Sequence, residues 1–344
     1  MKIRGFIAFC LIGLMVFLAC KKDDTPKGGK EEEPVEDMSG FAKGADVSWV
    51  TEMENSGIAF YDANGTKTEC MVLLKSLGMN SIRLRVWVNP TDGWCNKTDV
   101  LVKAKRASDL NMRVMIDFHY SDTWADPGKQ TKPAAWQDLS FSELCTAVTN
   151  HTTEVLTALK NWNITPEWVQ VGNETGNGML WDDGKADPNM AQYATLNNCG
   201  YDAVKSVFPE AKVIVHIQEG NNNNLFRWIF NGLKNNGGKW DVIGMSLYPE
   251  KDTWQTMNNS IISNIKDVIG RYGSEVMICE VGMNWDESEA AFNFLSDLIT
   301  RSKAIDDCLG VFYWEPEAYN GWKGYQKGAF DNSGKPTKAL DAFK

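Results

Sequence analysis

The chain has 344 residues, 43% of them hydrophobic and 23% charged, with a formal net charge of -10. That length and apolar content suffice for one large domain with a substantial core. An acidic surface argues against nucleic acid or an anionic membrane as a partner and favours a neutral or cationic substrate.

The first segment stands apart. Met1-Lys2-Ile3-Arg4 is basic, Phe6 to Leu18 is apolar, and Leu18-Ala19-Cys20 closes the run. This reads as a secretory signal over residues 1–19, with an apolar part too short to span a bilayer comfortably. A small residue directly before a cysteine resembles a lipoprotein box, with Cys20 as the acylated first residue, and Asp23-Asp24 resembles the surface-export signal of some Gram-negative lipoproteins. The expectation is an exported, lipid-anchored protein of the cell envelope, at the outer membrane and on the cell surface. Removing residues 1–19 takes away Lys2 and Arg4, so -10 becomes -12. Residues 20–40 hold charge, Pro and Gly with almost nothing to bury, and read as a flexible tether.

From residue 41 to 344, apolar strand candidates alternate with helical stretches. The predicted strands are Phe41–Ser48, Ser81–Val88, Arg113–His119, Glu167–Val171, Lys212–His216, Val242–Leu247, Glu275–Glu280 and Gly310–Trp314. Helical spacing falls between them over Glu69–Leu77, Asp99–Leu110, Phe141–Asn161, Met190–Phe208, Asn224–Leu233, Ile261–Tyr272 and Glu287–Ala304. Strand then helix, repeated through about 300 residues, is the size and rhythm of a single (β/α)8 TIM barrel of the α/β class. A doubly wound open sheet is the other candidate, but the chain lacks its glycine-rich phosphate loop, which counts against a nucleotide enzyme.

Barrel enzymes carry their chemistry just after the strands. The strand over residues 167–171 closes with Gly172 and delivers Asn173 and Glu174, and the strand over 275–280 ends on Glu280. One carboxyl held protonated and one held ionised would suit acetal cleavage, where a leaving oxygen needs a proton while positive charge develops at the anomeric carbon. A single glutamate near a strand end is more often an ion-pair partner or a cap. Two on separate strand ends, with aromatics nearby, point to function.

The other strand ends follow the same trend. Asp46 precedes Trp49; Arg83 and Arg85 share one face by alternation and run on into Trp87. A buried arginine needs an anionic partner, which Glu280 could supply, and it would hold that carboxylate ionised. Asp117 to Pro127 forms a dense polar and aromatic loop containing His119, Asp122 and Trp124; Trp181, His216, Tyr248 and Trp314 follow later strands. A lone histidine or tryptophan is usually a core residue. Fourteen tryptophans, several of them just after predicted strands, instead suit a rim on which sugar rings stack. His119, His216 and Asp122 lack metal-ligand spacing, so neither metal nor cofactor is expected.

Beyond Cys20 the cysteines are Cys70, Cys95, Cys145, Cys199, Cys279 and Cys308, with no CxxC pair, so neither a zinc site nor a small disulfide scaffold is indicated. One or two bridges stay open in an oxidising compartment. If Glu280 faces inward, alternation turns Cys279 outward to the helix layer, as packing and not as a nucleophile.

Four motifs, Arg83-Leu84-Arg85-Val86-Trp87-Val88-Asn89-Pro90, Ile116 to Pro127, Val171-Gly172-Asn173-Glu174 with Gly178-Met179-Leu180-Trp181, and Phe312-Tyr313-Trp314-Glu315-Pro316, resemble the endo-β-1,4-galactanases of glycoside hydrolase family 53 in clan A. The resemblance implies a (β/α)8 barrel and retaining cleavage inside β-1,4-linked galactan, such as the side chains of type I arabinogalactan. It implies Glu174 as acid/base, Glu280 as nucleophile, Asn173 on the sugar 2-hydroxyl and Tyr248 beside the nucleophile. Asp46, Arg83, His119, His216 and Trp314 fall at positions where the family keeps site residues, and Trp87, Asp122, Trp124 and Trp181 at walls of the groove. Some bacterial members bind calcium in a long loop after the eighth strand. Here only Glu317 to Lys327 stands at that place, so no calcium is expected there. The partner implied is the polysaccharide, met by a monomer. Two other readings stay open: a mannanase- or cellulase-like enzyme of the same clan, and a non-catalytic surface glycan-binding lipoprotein.

Overall fold

The computed structural model describes residues 40–344, so the signal, the acylation site and nearly all of the tether lie outside the described residues. Eight parallel strands close into a barrel: β1 (Ala42–Asp46), β2 (Ser81–Val86), β3 (Arg113–Phe118), β4 (Trp168–Val171), β5 (Lys212–Ile217), β6 (Val242–Leu247), β7 (Glu275–Val281) and β8 (Cys308–Trp314). The ring runs in chain order, and β1 closes it by pairing with both β8 and β2. Each predicted strand is present. The structure trims several ends, because Val47, Val88 and His119 leave the ladder to begin the loops above it.

Helices fill the connections: α1 (Val50–Asn55), α2 (Cys70–Ser76), α3 (Lys97–Asp109), α4 (Phe141–Asn161), α5 (Ala186–Val207), α6 (Asn223–Asn235), α7 (Trp254–Tyr272) and α8 (Ser288–Lys303). Local signals set their ends. Ser140 and Glu143 form a reciprocal capping box at α4, and Gly273, left-handed at φ 63°, ends α7. Two features go beyond the predicted elements. The short α1 and a hairpin (Phe60–Tyr61 with Lys67–Thr68) precede α2, and α7 starts seven residues early, through the polar run Trp254 to Ser260. That first half carries too few apolar residues for periodicity to reveal it.

The barrel interior is layered. Ala42, Met115, Trp168, Ile214, Val242, Met277, Cys279 and Phe312 fill the lower part as an apolar plug. Gly44 makes room for one of them: a Cβ there would lie 2.2 Å from the Phe312 ring. Cys279 overturns an expectation, since it faces inward with the plug and not out to the helices. The register slips between Met245 opposite Ile278 and Ser246 opposite Glu280. This bulge lets Cys279 and Glu280, adjacent in sequence, both turn toward the axis. All six cysteines of the described residues are free thiols.

Candidate active site

Above the plug lies a layer of buried polar side chains organised by Arg83. Its Nη1 donates to Asp46 Oδ2 and Glu280 Oε1, each at 2.8 Å, and its Nη2 to Asp117 Oδ2 and Asn173 Oδ1, each at 2.9 Å. Nε reaches Gln170 Oε1 at 3.2 Å. Arg83, Asp46, Asp117 and Gln170 are fully buried, so every one of these groups depends on the others for solvation. Burial alone would raise Asp117, but Arg83 and His119 hold it below the usual carboxylate range.

Two histidines serve this layer. His119 Nδ1 accepts from Trp87 Nε1–H at 3.2 Å and from the Ala125 amide at 3.3 Å, so its proton sits on Nε2 and is donated to Asp117 Oδ2 at 3.0 Å. His216 lies 2.7 Å by Nε2 from Ser246 Oγ, which donates to Glu174 Oε1 at 2.8 Å. Burial and the charge of Arg83 push His216 well below its ordinary value, which keeps it neutral.

The two glutamates face one cavity of about 430 Å³ at the C-terminal mouth of the barrel. Gly172 (φ 79°) and Glu174 itself (φ 47°) take left-handed backbone after β4, and that sharp turn sets the acid at the rim. Such a conformation is costly for a non-glycine residue and recurs at functional sites. Burial first, then the charge of Glu280, push Glu174 up to about 8. Burial also raises Glu280, while Arg83 and the Tyr248 hydroxyl, 2.7 Å from Oε2, draw it back. Glu280 has a cation and a hydroxyl donor in contact, whereas Glu174 has the Ser246 hydroxyl alone, so the pair's single proton rests on Glu174.

Aromatic rings wall the cavity. Trp49, Trp124, Trp314 and Tyr325 pack edge to face with centroids 4.8–5.8 Å apart. The guanidinium of Arg85 lies 4.4 Å from the Trp124 ring and 5.2 Å from those of Trp49 and Trp87. Arg85 pairs in turn with buried Glu315, which also accepts the Trp49 amide at 3.1 Å.

Of the residues picked from sequence, His119, Trp124, Asn173, Glu174, Tyr248, Glu280 and Trp314 line the cavity. Asp46, Arg83 and His216 sit beneath it. Three expected groove walls are not among the residues that line this cavity. Trp87 is buried behind His119 and Trp124, as a donor and packing partner. Asp122 spends both oxygens on the amides of Asn89 and Ala134, bracing its own loop and tying it to the loop after β2. Trp181, partly buried, donates to the Asn177 carbonyl at 2.9 Å, and Lys185 Nζ lies 4.7 Å from its ring. The sequence reasoning passed over Gln170, Asp117 and Ser246 as site residues, although strand alternation puts each on the same face as a residue of the axis. Asp126 lines the cavity from the polar loop that follows β3, and Tyr325, also in the lining, carried no local signal of that role.

Comparison with known proteins agrees with this geometry. The model of glycosyl hydrolase family 53 matches residues 42–343. The chain is 32% identical over 298 residues to a probable arabinogalactan endo-β-1,4-galactanase A of Neosartorya fischeri, covering 80% of this chain and 83% of that protein. It is 32% identical over 307 residues to an endo-β-1,4-galactanase of Bacillus subtilis, covering 80% and 70%. Among solved structures, a fungal β-1,4-galactanase superposes with a TM-score of 0.82 at 28% identity, over 89% of this chain and 99% of that one. The chain belongs to glycosyl hydrolase family 53, and the barrel with its two facing glutamates is a glycoside hydrolase scaffold.

Proposed function

We propose that the protein is an endo-β-1,4-galactanase that cleaves galactan chains with retention of anomeric configuration. The observation that carries this reading is the unequal pair in one cavity: Glu174 with its carboxyl pushed up to about 8, and Glu280 held by Arg83 and Tyr248. Glu174 donates its proton to the leaving galactosyl oxygen while Glu280 attacks the anomeric carbon, forming a covalent galactosyl-enzyme. Consuming the charge of Glu280 in the ester lowers Glu174, which then takes a proton from the attacking water. Product leaves with its configuration kept.

Asn173 sits between the two, its Oδ1 fixed by Arg83 and its Nδ2 bonded to the Ala125 carbonyl at 2.9 Å, with one amide hydrogen left for the sugar 2-hydroxyl. Trp49, Trp124 and Trp314 offer faces and edges to the sugar C–H groups. Support for galactan over other equatorial 4-linked polymers comes from the galactanase relatives. We further propose that the chain is exported and lipid-anchored at Cys20 and works as a monomer on its polymer; these rest on sequence alone.

The test is digestion of potato galactan beside mannan and cellulose, with the first-formed anomer followed by NMR. Reducing ends from galactan alone, with β-anomer appearing first, are expected. Cleavage of mannan or cellulose at equal rates, or α-anomer first, would overturn the reading.

A further inference from the structure

We propose that Cys145 and Cys199 are a disulfide site that ties α4 to α5 around strand β4, closed by thiol–disulfide exchange with an oxidised disulfide of the glutathione or oxidoreductase class. The argument starts from helix register. Cys145, Thr149 and Thr152 follow one another at helical spacing and share a stripe of α4. Thr149 Oγ1 donates to the Cys199 carbonyl at 3.4 Å, and Thr152 Oγ1 lies 2.8 Å from Tyr120 Oη. A Cβ on Gly200 would stand 2.9 Å from that same Tyr120 hydroxyl. The stripe therefore meets α5 at residues 199 and 200, and Gly200 is what lets the two helices come this close to the barrel.

At that crossing Cys145, one helical turn before Thr149, stands beside Cys199, near enough for each thiol to act on the other. Both are partly accessible, so a dissolved oxidant can reach them, whereas Cys70, Cys95, Cys279 and Cys308 are buried. Cys279 belongs to the barrel plug, and Cys95 points at the Ser48 carbonyl.

The exchange balances with one oxidised glutathione. The Cys145 thiolate attacks one sulfur of the disulfide, forms a mixed disulfide and releases a glutathione thiolate. Cys199 then loses its proton to solvent and its sulfur attacks Cys145 Sγ, releasing the second glutathione. Two protein thiols are oxidised, one disulfide is reduced, and the two protons end on the two glutathiones. Burial and the neighbouring thiol push Cys199 up to about 12, so the second step is the slower one and quickens as pH rises.

The bridge encloses a segment on the order of 50 residues that contains β4 and the turn bearing Asn173 and Glu174, a loop long enough for cross-linking to restrict the unfolded chain substantially. It lies outside the barrel, so it changes endurance and leaves the catalytic geometry alone.

The test incubates the full chain with oxidised glutathione at pH 8.5 and maps peptides without reduction, beside a dithiothreitol-treated sample. The expected result is one linked peptide pair joining Cys145 to Cys199 and lacking two hydrogens, with Tm raised by about 5 °C over the reduced protein. Cys145→Ser and Cys199→Ser, each changing only one partly buried thiol, should abolish the link and the Tm difference. Recovery of both cysteines as free thiols, or as separate glutathione adducts, would overturn the site. An unchanged Tm in the linked protein would overturn the clamp.

Discussion

Arg83 Nη1 stands 2.8 Å from Glu280 Oε1 and, on its other side, 2.8 Å from Asp46 Oδ2. One guanidinium thus spans a first-strand carboxylate and a seventh-strand carboxylate across the barrel axis, and it fixes which lone pairs of Glu280 remain free. The other oxygen, Oε2, accepts from the Tyr248 hydroxyl at the cavity and keeps its remaining lone pair.

That arrangement makes Arg83 indispensable in two ways. Arg83→Met leaves Asp46, Asp117 and Glu280 without a cation in a buried layer. Urea unfolding should show a loss of about 3–5 kcal/mol. Arg83→Lys keeps the charge but not the fork, so it should recover much of the stability and little of the kcat.

Removal of the attacking carboxylate is the direct check on mechanism. Glu280→Ala should lower kcat/KM on galactan at least on the order of a thousandfold, read by reducing-end release. Azide should restore part of the rate by occupying the space of the missing carboxylate.

Tyr248 donates to Glu280 and so lowers its proton affinity. Tyr248→Phe removes a bond to a charged group and should cost about 10- to 100-fold in kcat. The acid limb of the kcat/KM profile should move to higher pH, because Glu280 then needs more alkaline solution to ionise.

The pH dependence of stability carries its own sign. Glu174, at about 8 when folded, lies above its unfolded value, so it binds its proton more tightly in the native state. The stability this contributes is fully present below about pH 4.3 and is lost as pH rises through about 8. Glu174→Gln cannot ionise, so its Tm relative to the native protein should be more favourable at pH 9 than at pH 5, measured by calorimetry. Activity should fall on the alkaline side near pH 8 in the native enzyme, as the acid loses its proton.

The aromatic wall should act on binding more than on chemistry. Trp124 lines the cavity with Arg85 behind it, and Trp124→Ala removes the ring while leaving both glutamates in place. KM for polymeric galactan should rise about tenfold, with kcat changed less.

The sequence by itself determined the number and order of strands, most helices, and the pairing of Glu174 with Glu280 at strand ends. Each rests on a local signal: apolar runs of strand length, helical spacing, and polar residues that follow a strand. The resemblance of four motifs to family 53 implied the same site, with Glu280, which lies in none of the four, assigned partly by its order along the chain. What lay beyond local pattern was decided by contacts between distant segments. The slip between β6 and β7, which turns Cys279 inward beside Glu280, is a property of two strands and not of either one. Trp87 and Asp122 look like groove residues in the chain, yet their polar atoms are taken by His119 and by the amides of Asn89 and Ala134. Which oxygen of Glu280 meets the cation, and which glutamate keeps the proton, follows from burial and from the single cation shared by three carboxylates, quantities that exist only once the barrel has closed.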